Sequence, residues 1–236
     1  MQEQSIMETP PAPLASAPRP SSAEPVSFAL SREVIVKSLP QSPTAESIHA
    51  LRTHLVARHI QDGRRGLAVC DTEGSAGEFL AVNLAISMAE SGVRTLLIDT
   101  NIRAPELGQY IQPSSAVAGL ADAIEQPDVP IGFAIQNVLP NLSLIYAGGP
   151  RENSLELLGN PKFARIVDLC MREFDFTIAT TPPSNRFADA RRVASVMRYA
   201  LVVARKDVTF IEDVNTLVSE LASDSAQVIG AVYNDF

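Results

Sequence analysis

The stretch from Cys70 to Pro105 constrains this chain most, because it has the outline of a strand, a glycine-bearing turn, a helix and a second strand. It runs Cys70-Asp71-Thr72-Glu73-Gly74-Ser75-Ala76-Gly77-Glu78-Phe79-Leu80, continues through Ala81-Val82-Asn83-Leu84-Ala85, and closes on Leu96-Leu97-Ile98-Asp99-Thr100-Asn101-Ile102-Arg103-Ala104-Pro105. The outline is that of a phosphate-binding loop. Such a loop follows its last glycine with a lysine for phosphate and then Ser or Thr for magnesium. Here the three positions hold Glu78, Phe79 and Leu80.

Exchanging that lysine is costly. An ammonium about 4 Å from a phosphate oxygen is worth roughly 4 kcal/mol at an effective dielectric near 20, and a carboxylate there reverses the sign. Phe79 and Leu80 offer no oxygen to Mg²⁺, a hard cation that takes oxygen ligands. From the residues alone, no cofactor and no metal is expected in the loop.

The rest of the chain alternates between short apolar runs and amphipathic segments. Strands are expected at 67–70, 94–99, 142–146, 176–180, 201–205 and 228–233, and helices at 77–91, 119–125, 161–174, 187–197 and 210–222. Runs apolar on both faces that alternate with helices predict a parallel sheet covered on each side. The fold class is therefore α/β, a three-layer sandwich with a mostly parallel, doubly wound central sheet. Before it, residues 1–40 carry seven prolines among Ala and Ser, a composition that predicts a disordered tail. Within that tail Val34-Ile35-Val36 reads equally as an edge strand, a docking peptide or plain linker. A single domain is expected over 41–236, opening with Ser42-Pro43 as helix cap and first helical residue.

Charge and length exclude several classes. A formal net charge of −8 gives no basic field for nucleic acid. No apolar run approaches the ~18 residues of a membrane span. Cys70 and Cys170 lack metal-ligand spacing and read as core residues of a cytoplasmic protein.

Taken together, the segments resemble the cytoplasmic P-loop domain of bacterial tyrosine autokinases of capsular and exopolysaccharide synthesis, relatives of the partition ATPases. The resemblance covers residues 40–236. It is carried by the helix Pro43-Thr44-Ala45-Glu46-Ser47-Ile48-His49-Ala50-Leu51-Arg52, by Asn83-Leu84-Ala85, by Leu97-Ile98-Asp99 with Arg103 and Pro105, and by Gly119-Leu120-Ala121-Asp122. Gly148-Gly149-Pro150, Pro161-Lys162-Phe163 and Thr181-Pro182-Pro183 with Asp189-Ala190 continue it.

Against that pattern five positions depart: Glu78, Phe79, Leu80, Asn101 for the second aspartate, and Ala179 for the aspartate before Thr-Pro-Pro. The terminal tyrosine cluster of such kinases has no counterpart, and the loop with Gly74, Gly77 and Asp99 reads as vestigial. The resemblance then implies a chain that is not an enzyme: a pseudokinase acting as a binding or regulatory subunit of capsule- or holdfast-type polysaccharide export. Its partner would be an inner-membrane polysaccharide co-polymerase carried on a separate chain, which recruits it to the membrane face without insertion. Glu46, His49 and Arg52 would form the docking or self-association surface of a homo-oligomer. Two alternatives remain open: an unconventional ATP-binding enzyme whose Gly74, Gly77 and helix amides attract an anion, and a relative of the partition ATPases.

Overall fold

A computed structural model describes residues 26–74, 76–126 and 130–235. The elements in chain order are β1 (Phe28–Leu30), α1 (Ile35–Ser38), α2 (Pro43–Leu55) with a π-helical turn (Val56–Ile60), β2 (Gly66–Asp71) and α3 (Ala76–Glu90). These are followed by β3 (Thr95–Asp99), α4 (Leu107–Tyr110), β4 (Ile111–Pro113), α5 (Leu120–Glu125), β5 (Ile135–Leu139) and β6 (Leu142–Ile145). The chain ends with α6 (Ser154–Gly159), α7 (Pro161–Glu173), β7 (Phe176–Thr180), α8 (Asp189–Met197), β8 (Tyr199–Arg205), α9 (Ile211–Ser223) and β9 (Gln227–Asn234).

Seven strands form the central sheet in the order β5-β6-β3-β7-β2-β8-β9. All neighbours are parallel except the β5–β6 pair at one edge. β2, β3 and β7 are buried along their whole length, because helices cover both faces. One face packs on α1 to α4, through residues such as Val69, Leu84 and Leu97. The other packs on α5 to α9, through Ile98, Phe163, Val193 and Leu217. This is the three-layer α/β sandwich expected from the alternation, with its strand order reversing direction around β2 and β7. In open sheets of this kind ligands bind outside the carboxyl ends of the strands at such a reversal.

α3 is the pivot of the architecture. Thirteen of its fifteen residues are buried, so it is apolar nearly all round and lies between the sheet and α2. α2 starts where the residues predict, with the Ser42 hydroxyl accepting the Ala45 N–H at 3.2 Å and Pro43 in the first turn.

The tail expected over residues 1–40 ends earlier than its composition suggests. Val34 and Val36 are 0% and 3% exposed, and β1 pairs antiparallel with β4. Asn83 accounts for this: its amide accepts the Val36 N–H at 3.2 Å and donates to the Glu33 carbonyl at 3.1 Å, so α3 holds α1 down. Residues 1–25 of the expected tail lie outside the described residues. Among the described residues no helix is long and apolar enough to cross a membrane.

Candidate functional site

β2 and β3 end in carboxylates, Asp71 and Asp99, and β7 ends beside them in Thr180. The Thr100 hydroxyl donates to the Thr180 carbonyl and ties the last turn of β3 to β7. Above these ends opens a cleft of about 690 Å³ lined by Glu73, Gly74, Glu78, Asn101, Arg103, Glu106, Thr181, Asn185, Arg186, Phe187 and Arg205 among others. The structure thus brings Gly74, Glu78 and Asn101 of the sequence-derived set to one place.

Other members of that set go elsewhere. Leu80 faces away from the cleft and lines a groove with Ile48, Leu51, Val203 and Val232. Phe79 packs on the core beneath α1 and α2. Ala179 is fully buried with Ala68 and Ile98 in the core under α5 to α9. Side chains alternate across a strand, so the residue that β7 presents to Asp99 is Thr180, whose hydroxyl lies 3.4 Å from Asp99 Oδ1. The departure attributed to Ala179 therefore belongs one residue later.

Two buried acids shape the electrostatics of the cleft. Glu78 is 5% exposed and its Oε1 has no hydrogen-bond partner. Burial, with Asp99 and Glu106 close by, pushes its carboxyl well above the ordinary carboxylate range. Asp99 is fully buried, and burial pushes it up to about 7 although the Asn101 N–H donates to Oδ1 at 2.9 Å. Its Oδ2 is unpartnered. Burial thus disfavours the ionised form of both acids beneath the cleft.

Three arginines supply positive charge. Arg103 spans the cleft: Nε donates to Asp189 Oδ2 at 2.7 Å, Nη1 to the Glu152 carbonyl at 3.1 Å, and the guanidinium lies 4.6 Å from the centre of the Phe187 ring. Among the described residues the side chains of Arg186 and Arg205 have no ion-pair partner, and both are exposed on the rim. Arg103 belongs to the segments that carry the resemblance, but Arg186 and Arg205 are more than eighty residues from the loop in the chain, and no local signal marks them.

The two positions where a phosphate-binding loop carries a magnesium hydroxyl hold hydrocarbon side chains. Phe79 and Leu80 carry no oxygen donor, and among the described residues no three His, Cys, Asp or Glu side chains gather where they could hold a metal.

The proposed docking residues fall on α2. Glu46 is exposed, whereas His49 and Arg52 are half-buried and turn inward onto α3. His49 Nδ1 lies 2.8 Å from Ser87 Oγ, and Arg52 Nη1 donates to Ser87 Oγ at 3.2 Å. Both residues tie α2 to the body of the fold.

No family profile matches the chain. The chain is 26% identical to the putative tyrosine-protein kinase CapB of Staphylococcus aureus, over 84% of this chain and 87% of CapB. It is 27% identical to the succinoglycan biosynthesis transport protein ExoP of Rhizobium meliloti, over 85% of this chain but only 26% of that longer protein. Among solved structures, the kinase domain of the Escherichia coli tyrosine kinase ETK superposes with a TM-score of 0.77, over 86% of this chain and 79% of that one, at 24% identity. The homologues are bacterial tyrosine-protein kinases, and the structural neighbours are their kinase domains.

These findings correct the expectation of a chain that is not an enzyme. Relatives aligned over more than four-fifths of the chain are named as kinases. Burial also disfavours the charged form of Glu78 on which that expectation leaned, and the cleft carries Arg103, Arg186 and Arg205.

Proposed function

We propose that this chain is a tyrosine-kinase-type domain serving the synthesis and export of a bacterial polysaccharide, which works on the cytoplasmic side against an inner-membrane co-polymerase and takes a phosphate-bearing ligand in the arginine-rimmed cleft. The observation that carries the reading is the cleft itself. It sits at the carboxyl ends of β2, β3 and β7, where the parallel sheet reverses its winding, and it holds two guanidiniums without an ion-pair partner among the described residues. Guanidinium forks match phosphate oxygens bidentately, which an exposed lysine cannot do.

The names of the relatives support the polysaccharide assignment: CapB as a kinase and ExoP as a succinoglycan transport protein. In this reading Gly74 and Gly77 supply the backbone cradle, and neutral Glu78 and Asp99 line its floor. Arg103 holds the far wall through Asp189, and Arg186 and Arg205 meet the phosphates. The exposed Glu46 end of α2 is the contact for the co-polymerase or a second copy, with His49 and Arg52 fixing the helix that bears it.

Two measurements test the reading. Titration calorimetry with ADP and with inorganic pyrophosphate detects the cleft, and Arg186→Ala with Arg205→Ala lowers the affinity at least tenfold if the guanidiniums hold phosphate. Unchanged affinity in that double variant removes the cleft from the proposal. Capture of the chain by the cytoplasmic tail of the co-polymerase, lost in Glu46→Arg, tests the docking end; capture that survives that reversal of charge refutes it.

A further inference from the structure

Asp71 occupies the cradle. Its Oδ1 accepts the Gly74 N–H and its Oδ2 accepts the Gly77 N–H, each at 2.9 Å. The two donors belong to the turn and to the first turn of α3, where the aligned peptide dipoles favour an anion. The loop closes tightly round the carboxylate: a Cβ added at Gly77 would lie 3.2 Å from Oδ2 and 3.3 Å from Cγ. Gly74 adopts the left-handed φ of +97° that lets its N–H turn inward. Asp71 itself is only 4% exposed.

A second observation marks the same spot as built for a ligand. Glu78, 95% buried by its 5% exposure, aims an unpartnered Oε1 into the cleft, and Thr72 Oγ1 on the loop is likewise buried without a partner. Buried polar atoms are nearly always satisfied in folded proteins, so these two atoms beside the Gly74 and Gly77 donors mark a binding site whose central seat is filled by the chain's own side chain.

We propose that the Asp71 carboxylate is a built-in anion that competes with ligand phosphate for the Gly74 and Gly77 amides, so that a phosphate-bearing ligand enters the loop only when Asp71 swings out. The two anions need the same two N–H groups and repel each other at contact distance. Asp71 therefore sets how tightly, and under what conditions, the loop takes phosphate. Asp71 adjoins Thr72, which leads to the turn that receives the Ser184 and Asn185 amides through the carbonyls of Asp71 and Thr72. Movement of the segment carrying Asn185 and Arg186 is thus felt at the residue that fills the cradle.

The inference rests on the cleft being a phosphate site, and one experiment separates the two claims. Inorganic pyrophosphate is titrated into the full chain, wild type, Asp71→Ala and Asp71→Asn, by calorimetry and by amide NMR of Gly74 and Gly77. The expected result is an affinity at least tenfold higher in Asp71→Ala than in wild type, with the Gly74 and Gly77 signals shifting on titration. Asp71→Asn keeps the shape and one acceptor while removing the charge, so it decides the matter if Asp71→Ala fails to fold. Equal binding by wild type and variants leaves the cleft standing and overturns the competing carboxylate. Binding by none of the three overturns both.

Discussion

The buried acids Asp99 and Glu78 give a pH dependence opposite in sign to the usual carboxylate. Burial raises Asp99 from 3.8 to about 7, so the folded state keeps a proton that the unfolded chain gives up. Its contribution to stability is complete below pH 3.8 and is lost as pH rises toward 7. A displacement of about 3 units at 1.36 kcal/mol per unit corresponds to about 4 kcal/mol across that window. Glu78 acts in the same direction.

The perturbation is Asp99→Asn, which keeps the Oδ1 acceptor for the Asn101 N–H and has no proton to lose. The assay is urea unfolding from pH 4.5 to 7.5, read as the stability of the variant minus that of wild type. His59, whose pKa burial lowers, costs stability as pH falls below its ordinary value near 6.5, but it is present in both proteins and cancels in the difference. The difference is expected to grow with pH, reaching about 3 to 4 kcal/mol in favour of Asn at pH 7.5. A difference that stays flat or shrinks over this range refutes the assignment of neutral acids to the cleft floor.

Other perturbations follow from the same geometry. Arg103→Ala leaves the fully buried Asp189 carboxylate without its guanidinium; since Arg103 is one-quarter exposed, a loss of about 2 to 3 kcal/mol is expected in the urea midpoint, below the full value for a wholly buried pair. Gly119→Ala puts a Cβ 2.1 Å from the Gly148 nitrogen, a backbone atom that cannot yield, and should lower stability by about 3 kcal/mol or more in a thermal melt, whereas Gly108→Ala, with nothing within 4 Å, should change it by less than about 0.5 kcal/mol. Asn83→Leu strands the buried Val36 N–H, so hydrogen exchange at Val36 should speed up and stability fall by about 2 kcal/mol.

Long elements were legible because their periodicity is sustained. β7 spans residues 176–180 as expected, and the expected helix 161–174 is α7, Pro161–Glu173. The misses are short pieces. β1 and β4 have three residues each, and β5 is an antiparallel edge whose residues are mixed in burial, so none carries a pattern that separates it from loop. Residues 33–38 have the composition of a linker, and what fixes them is long-range: Val34 and Val36 enter the core, and Asn83, forty-seven residues downstream of Val36, accepts the Val36 N–H. At the site, the identity of Glu78 was plain and the upward shift of its carboxyl was not, since that depends first on burial by the fold and then on the charges of Asp99 and Glu106, brought in from distant parts of the chain. The assignment of Ala179 failed for a reason particular to strands: a slip of one residue exchanges the core face for the cleft face.

α3 links the two surfaces to which function is assigned. Its first turn presents Gly77 and Glu78 to the cleft, and three turns later Ser87 receives His49 and Arg52 from α2. Between them Asn83 clamps α1, and the apolar residues around it lie against the sheet. A helix buried on every side cannot slide without opening cavities, which cost about 24 cal/mol for each Å³ left unfilled. Under the docking proposed above, a partner at the exposed end of α2 would reach the cleft through small rotations of α3 as a rigid rod. Asp71 is held at that rod's end by the Gly77 amide alone on the helix side, so a rotation that lengthens this 2.9 Å hydrogen bond weakens the carboxylate's hold first, before any packed side chain must move. This ordering follows from the steep loss of hydrogen-bond energy with distance and angle compared with the tolerance of apolar contacts. It makes the loop, and not the core, the part of the fold that such a rotation disturbs first.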